Sequence, residues 1–93
     1  MSKTDWTYRT GTALRIQRLR QNLSQQKLAE KADVTQAAIS TIERGKSSVN
    51  LNTLTKVSNA LGVTLSELFR EIEMMGTPEQ VLARVKHFLE TAK

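Results

Sequence analysis

Residues 35–45 read TQAAISTIERG, and the side chains in this run have the types and spacing to do recognition chemistry on one helical face. On a 3.6-residue period Ala38, Ile39 and Ile42 turn inward, while Gln36, Ala37, Ser40, Thr41 and Arg44 turn outward. The outward set presents an amide, a methyl and two hydroxyls at its centre and a guanidinium at its rim. Such a face suits the hydrogen-bonding edges and methyl groups of base pairs better than bulk water, where Glu and Lys would dominate.

Two short helices joined by a tight turn must hold that face in place. Ser24 is a candidate N-cap for a helix in which Leu28, Ala29 and Ala32 share one side. Asp33 follows where the chain has to turn, and Asp tolerates a left-handed backbone at modest cost. Thr35 then caps a second helix over 35–44, and Gly45 ends it.

With 93 residues the chain is expected to form one domain with a modest core. It has no cysteine, so neither a disulfide framework nor a thiolate metal site is available, and a reducing, cytoplasmic compartment is expected. No apolar run is long enough to span a bilayer, and MSKTDWTYRT lacks the apolar core of a signal peptide. The net charge of +5 is uneven: residues 1–50 hold nine Lys or Arg against four acids, and residues 51–93 hold five of each. All the excess cation therefore lies on the half that carries the two short helices, as expected of a chain that meets a polyanion through that half.

Residues 1–10 show no period and few apolar side chains, which predicts a flexible arm that Trp6 and Tyr8 anchor and whose Lys3 and Arg9 are candidate DNA contacts. A first helix is expected over 12–21, with Leu14 and either Gln17 or Leu19 on its buried side, ending at Asn22. After the loop KSSVN, Asn50 caps a helix to Leu61 with Leu51, Leu54, Val57, Ala60 and Leu61 inward. Thr64 and Glu67 form a capping box for a fifth helix through Leu65, Leu68, Phe69 and Ile72. TPEQ at 77–80 starts a sixth, whose Val81, Leu82, Val85, Phe88 and Leu89 make one apolar face.

Catalysis finds little to work with. The sole His87 stands near Glu90 on the last helix, no pair of acids has pocket spacing, and four isolated glycines cannot build a phosphate loop. Neither an enzyme nor a cofactor or metal is expected.

With these segments in view, the chain resembles the phage-repressor-like helix-turn-helix family, the group that contains the Cro and Xre repressors. The resemblance covers about residues 11–69 and rests on GTALR at 11–15, LSQQKLAEKA at 23–32, ISTIERGK at 39–46 and LNTLTKVSNALGVTLSELF at 51–69. It departs at Asp33, where the family usually has glycine, and at Gln17, where it often has leucine. The resemblance implies an all-α, compact five-helix domain over 11–73, here followed by a sixth helix at 77–91, with the helix at 35–44 in the major groove.

Carried over position by position, the resemblance implies base contacts from Gln36, Ala37 and Thr41, flanked by Ala38 and Ser40. Gln25 matches a phosphate-contacting position, and the caps Ser24 and Thr35 with Arg44, Lys46 and Ser47 complete that set. It also implies that Glu43 pairs with an arginine of the first helix, either Arg18 or, in a shifted register, Arg20. Double-stranded DNA is the expected partner, and the apolar face of the sixth helix is the expected homodimer contact. One competing reading keeps the same DNA-binding domain but gives the last helix to a partner protein, as in the antitoxin of a toxin–antitoxin pair.

Overall fold

Six helices follow one another as α1 (Lys3–Arg20), α2 (Gln25–Ala32), α3 (Gln36–Glu43), α4 (Leu51–Leu61), α5 (Leu65–Met74) and α6 (Pro78–Thr91). The structure, a computed structural model, describes residues 3–75 and 78–91, without the side chains of Lys3, Thr4, Pro78 and Val81. Among the described residues there is no strand, and the fold is all-α as expected.

Three of the connections share one construction. A residue with a left-handed backbone closes a helix, an apolar residue follows, and a hydroxyl caps the next helix. Asn22, Leu23 and Ser24 do this between α1 and α2; Asp33, Val34 and Thr35 between α2 and α3; Gly62, Val63 and Thr64 between α4 and α5. In each, the apolar residue's N–H reaches back to a carbonyl five residues earlier, Leu23 to Arg18 at 3.1 Å, Val34 to Ala29 at 3.0 Å and Val63 to Ser58 at 3.0 Å, which satisfies carbonyls that a helix end leaves open. The same three apolar side chains pack against the core. Each cap then accepts from the backbone three residues on, at 3.0 Å for Ser24, Thr35 and Thr64, a bond that contributes ~1 kcal/mol. Glu67 completes the capping box by accepting from the Thr64 N–H at 3.1 Å, and this bond with the Thr64 hydroxyl holds its carboxyl below the usual range.

The connection after α3 departs from this pattern. Gly45 takes the left-handed backbone, but three polar residues, Lys46 to Ser48, come before Val49 and the cap Asn50. This longer loop is the one beside the outward face of α3.

The core gathers Ala13, Leu14 and Ile16 of α1 with Leu28, Ala29 and Ala32 of α2, Ile39 and Ile42 of α3, and Leu54, Val57, Leu61, Leu68, Ile72 and Met75. α1 touches α3, α4, α5 and α6. A helix enclosed on several sides shows no single apolar stripe, and this corrects the expectation for residues 1–10. From Lys3 onward the expected arm is the first half of α1, while Met1 and Ser2 lie outside the described residues. Trp6 stands 5.9 Å from the ring of Phe69, Thr10 is buried with its hydroxyl donating 2.7 Å to the Trp6 carbonyl, and Tyr8 packs on the core. The Arg9 guanidinium donates to the Met75 carbonyl, which turns it toward the end of α5 and away from a DNA role.

Three further expectations shift. Neither Gln17 nor Leu19 is fully buried; the buried side of α1 runs instead through Ala13, Leu14, Ile16 and Arg18, and Gln17 donates 2.9 Å to Glu71. Leu51, in the first turn of α4, is 62% exposed, so the inward stripe there begins at Leu54 and includes the buried Ser58. The apolar face of α6 is divided: Val85 and Phe88 are half-buried, whereas Leu82 and Leu89 are exposed. The expected cap of Thr77 and its capping box lie outside the described residues.

Gly11 sets the spacing of the scaffold. A Cβ at this position would run into the carbonyl oxygen of Ile42, because α1 crosses the last turn of α3 backbone against side. In an open helix Gly→Ala would stabilise by ~0.5–1 kcal/mol. Here Gly11→Ala should destabilise by ~1–3 kcal/mol through overpacking and lower the thermal midpoint. A midpoint equal to or above that of the parent would show that the two helices are free to separate.

Candidate nucleic-acid interface

α3 has eight residues, too few to hold a helix alone in water. Its buried Ile39 and Ile42, at 2% and 6% exposure, fix which way it faces. Gln36 and Ala37 stand exposed in its first turn, and Ser40 and Thr41 are half-buried along the same outward side; Ala38, expected inward, is only half-buried and borders the groove beside this face. Thr35 caps the helix by accepting from the Ala38 N–H, so its hydroxyl lies where α3 begins. From Gln36 through Ile42 the helix carries no charge.

An open groove of about 330 Å3 runs between α3 and the start of α4. Thr35, Ala37, Ala38 and Thr41 line one side, and Ser47, Ser48, Asn50 and Thr53 the other. Ser48 and Thr53 are not singled out by the sequence, and Asn50 only as a helix cap; the signal is the loop itself, longer than its three counterparts. α1 reaches this loop as well, with the Thr7 hydroxyl 3.4 Å from that of Ser48.

The expected phosphate set is less uniform. Arg44, Lys46 and Ser47 are exposed around the end of α3, with Arg44 Nε donating 3.3 Å to the Ser40 carbonyl. Ser24 is exposed and engaged as the α2 cap. Gln25 is half-buried, and its Nε2 donates 3.2 Å to Glu43 Oε1.

Glu43 meets Arg18 in a two-pronged contact. Arg18 Nε donates 2.7 Å to Oε2 and Nη2 donates 2.9 Å to Oε1, while Nη1 donates 2.7 Å to the Leu23 carbonyl. The two side chains are only 9% and 3% exposed. Of the two arginines left open by the sequence, the structure uses Arg18; Arg20 is exposed and lies 6.0 Å from the ring of Phe88. The pair cancels an acid at the end of α3 that would otherwise repel phosphate, and it ties α1, the turn at Leu23, α2 and α3 together.

Two short helices in a three-residue turn, the second showing a neutral polar face beside a cationic rim, define a helix-turn-helix domain for DNA. The chain belongs to the helix-turn-helix family HTH_3, whose pattern matches residues 14–68, and it is a DNA-binding transcriptional regulator of that type. It is 41% identical over 70 residues to control protein C.MunI from a Mycoplasma species, a match covering 74% of this chain and 95% of that one. It is 43% identical over 65 residues to the helix-turn-helix transcriptional regulator PuuR of Escherichia coli, covering 70% of this chain but only 35% of that longer protein. Among solved structures it is similar to the clp gene regulator ClgR from Corynebacterium glutamicum, with a TM-score of 0.71, 26% identity and coverage of 91% and 86% of the two chains. Among the described residues no helix is long and apolar enough to cross a membrane.

Because Arg18 and Glu43 are desolvated, Glu43→Ala should destabilise the protein by ~3–5 kcal/mol without any DNA present, by stranding the guanidinium. A double-mutant cycle with Arg18→Ala should show that the second substitution costs far less than the first. Native thermal stability in Glu43→Ala, with altered DNA affinity alone, would mean that the pair does not hold the fold.

Proposed function

We propose that the chain is a sequence-specific repressor that binds a palindromic operator as a homodimer, with α3 in the major groove. The observation that carries this reading is the uncharged outward face of α3, with Gln36 and Ala37 exposed in its first turn and Arg44 and Lys46 at its rim. Gln36 is the residue to read adenine through N6 and N7, a bidentate contact that discriminates by ~1–3 kcal/mol, and the Ala37 methyl suits that of thymine. Ala38, Ser40 and Thr41 flank them. Ser24, Gln25, Thr35, Arg44, Lys46 and Ser47 are assigned to phosphates, where they set register and not sequence. Repression then needs only occupancy, since a bound dimer excludes other proteins from the same DNA. The reading places the protein in the cytoplasm, with the DNA.

Dimerisation is assigned to α6. Leu82 and Leu89 are 61% and 46% exposed, and two such leucines left in water are unfavourable. A two-fold dimer with half-sites about one helical turn apart, ~34–36 Å, doubles the few base pairs that one α3 can read.

Selection of binding sites from random duplexes should return a two-fold symmetric sequence. With Gln36→Ala the preference should relax at one position per half-site while affinity for unrelated DNA stays nearly unchanged; with Lys46→Ala all sequences should weaken alike and the salt slope should fall by about one. An unchanged preference in Gln36→Ala would remove α3 from the groove.

Substituting both exposed leucines, Leu82→Glu with Leu89→Glu, should give a folded monomer by analytical ultracentrifugation and weaken operator binding by at least about a hundredfold. A dimer of parental affinity in that variant would place the interface elsewhere.

A further inference from the structure

A second groove, of about 370 Å3, lies in the seam between α1, the turn after α3, and α6. Its sides differ in chemistry. Arg15, Arg44, Lys46 and Tyr8 line it from α1 and the turn, and Leu82 and Val85 line it from α6. We propose that this groove binds a small amphipathic anion, a carboxylate or phosphate monoester on a short apolar body, and that its occupation weakens DNA binding.

The charge in the groove is unbalanced. Glu43 also borders it, but both of its oxygens already accept from Arg18 and one accepts from Gln25. Among the described residues neither Arg15 nor Lys46 forms an ion pair. Arg15 is half-buried, so water screens its charge less than that of a surface cation, and an anion placed beside it is favoured. The volume falls within the ~300–1,000 Å3 of small-molecule sites. A space bounded by α6 admits such a molecule and not a duplex. Inorganic phosphate would satisfy the cations but leave the Leu82 and Val85 side wet, which is why the ligand carries an apolar body.

The regulatory part rests on the DNA-binding reading above. Arg44 and Lys46 border this groove and are also assigned to the DNA backbone, so an anion seated on them competes with phosphate. Leu82 borders the groove and belongs to the α6 surface assigned to pairing, so the same ligand touches both determinants of operator affinity.

The test uses the full chain without DNA and three probes: hexanoate, inorganic phosphate and hexanol. Hexanoate should give saturable amide shifts at Gly45 and Val85, with an affinity about tenfold or more above either of the other two. Arg15→Gln should weaken hexanoate about tenfold and Arg15→Lys should keep most of the affinity, with thermal melts confirming that both are folded. Phosphate binding as tightly as hexanoate, shifts confined to the Phe88 side of α6, or hexanoate affinity untouched in Arg15→Gln would each overturn the site. In a second step, saturating hexanoate should lower the affinity for duplex DNA, and unaltered DNA affinity would overturn the competition. A chain that binds duplex but not hexanoate refutes this inference alone; one that binds hexanoate but no duplex refutes the DNA reading and leaves the anion site standing.

Discussion

The contact between Arg18 and Glu43 is the constraint on which the rest of the molecule depends. It joins α1 to the end of α3 and gathers four segments through four hydrogen-bonding groups: the guanidinium, the carboxylate, the Leu23 carbonyl and the Gln25 amide. A buried pair of this kind adds little net stability relative to an apolar core, since both charges lose their water. Its value is geometric. A planar guanidinium that donates two parallel bonds to a carboxylate allows one distance and one orientation, and Gly11 against Ile42 sets the approach at the same crossing. An eight-residue helix with a neutral outward face cannot position itself; it inherits its position from this crossing.

Affinity and selectivity are separated in space as a consequence. The centre of the outward face of α3 has no charge, and in the proposed reading hydrogen bonds and methyl contacts there are left to discriminate. The cations stand exposed at the rim, on Arg44 and Lys46, which the same proposal assigns to the DNA backbone, where attraction is independent of sequence. Removing the charge of Glu43 by pairing it internally lets both arrangements coexist within one turn of helix.

The sequence made the local features legible and hid those that arise from enclosure. Ser24, Thr35, Asn50 and Thr64 cap their helices as their types and spacing imply, and Asn22 and Asp33 take the left-handed backbone that the turns demand. The outward side of α3 follows from Ile39 and Ile42 alone. The first half of α1 was invisible because its buried residues are Thr10 and Gly11, which carry no apolar signal until their neighbours are known. Gly11 could not be read for the same reason: a glycine inside a helix signals either tolerance or a close approach, and only Ile42 across the crossing decides which. The choice of Arg18 over Arg20 likewise required the register that Gln17 had left ambiguous. In α6 the periodicity put Val81, Leu82, Val85, Phe88 and Leu89 on one face, but one stripe can serve two surfaces: Val85 and Phe88 are half-buried, Leu82 and Leu89 are exposed, and the Val81 side chain lies outside the described residues.

The central claim, that α3 reads the major-groove edges of base pairs, is tested most directly by chemical removal of one acceptor at a time from the DNA. Replacing each adenine of the selected operator with 7-deazaadenine deletes N7 from the major groove and leaves the minor groove and backbone as they were. One adenine per half-site should then cost part of the ~1–3 kcal/mol assigned to its bidentate contact with Gln36, and Gln36→Ala should be indifferent to the same replacement. Parental binding to every such operator, with sensitivity only to changes in the minor groove, would contradict the account.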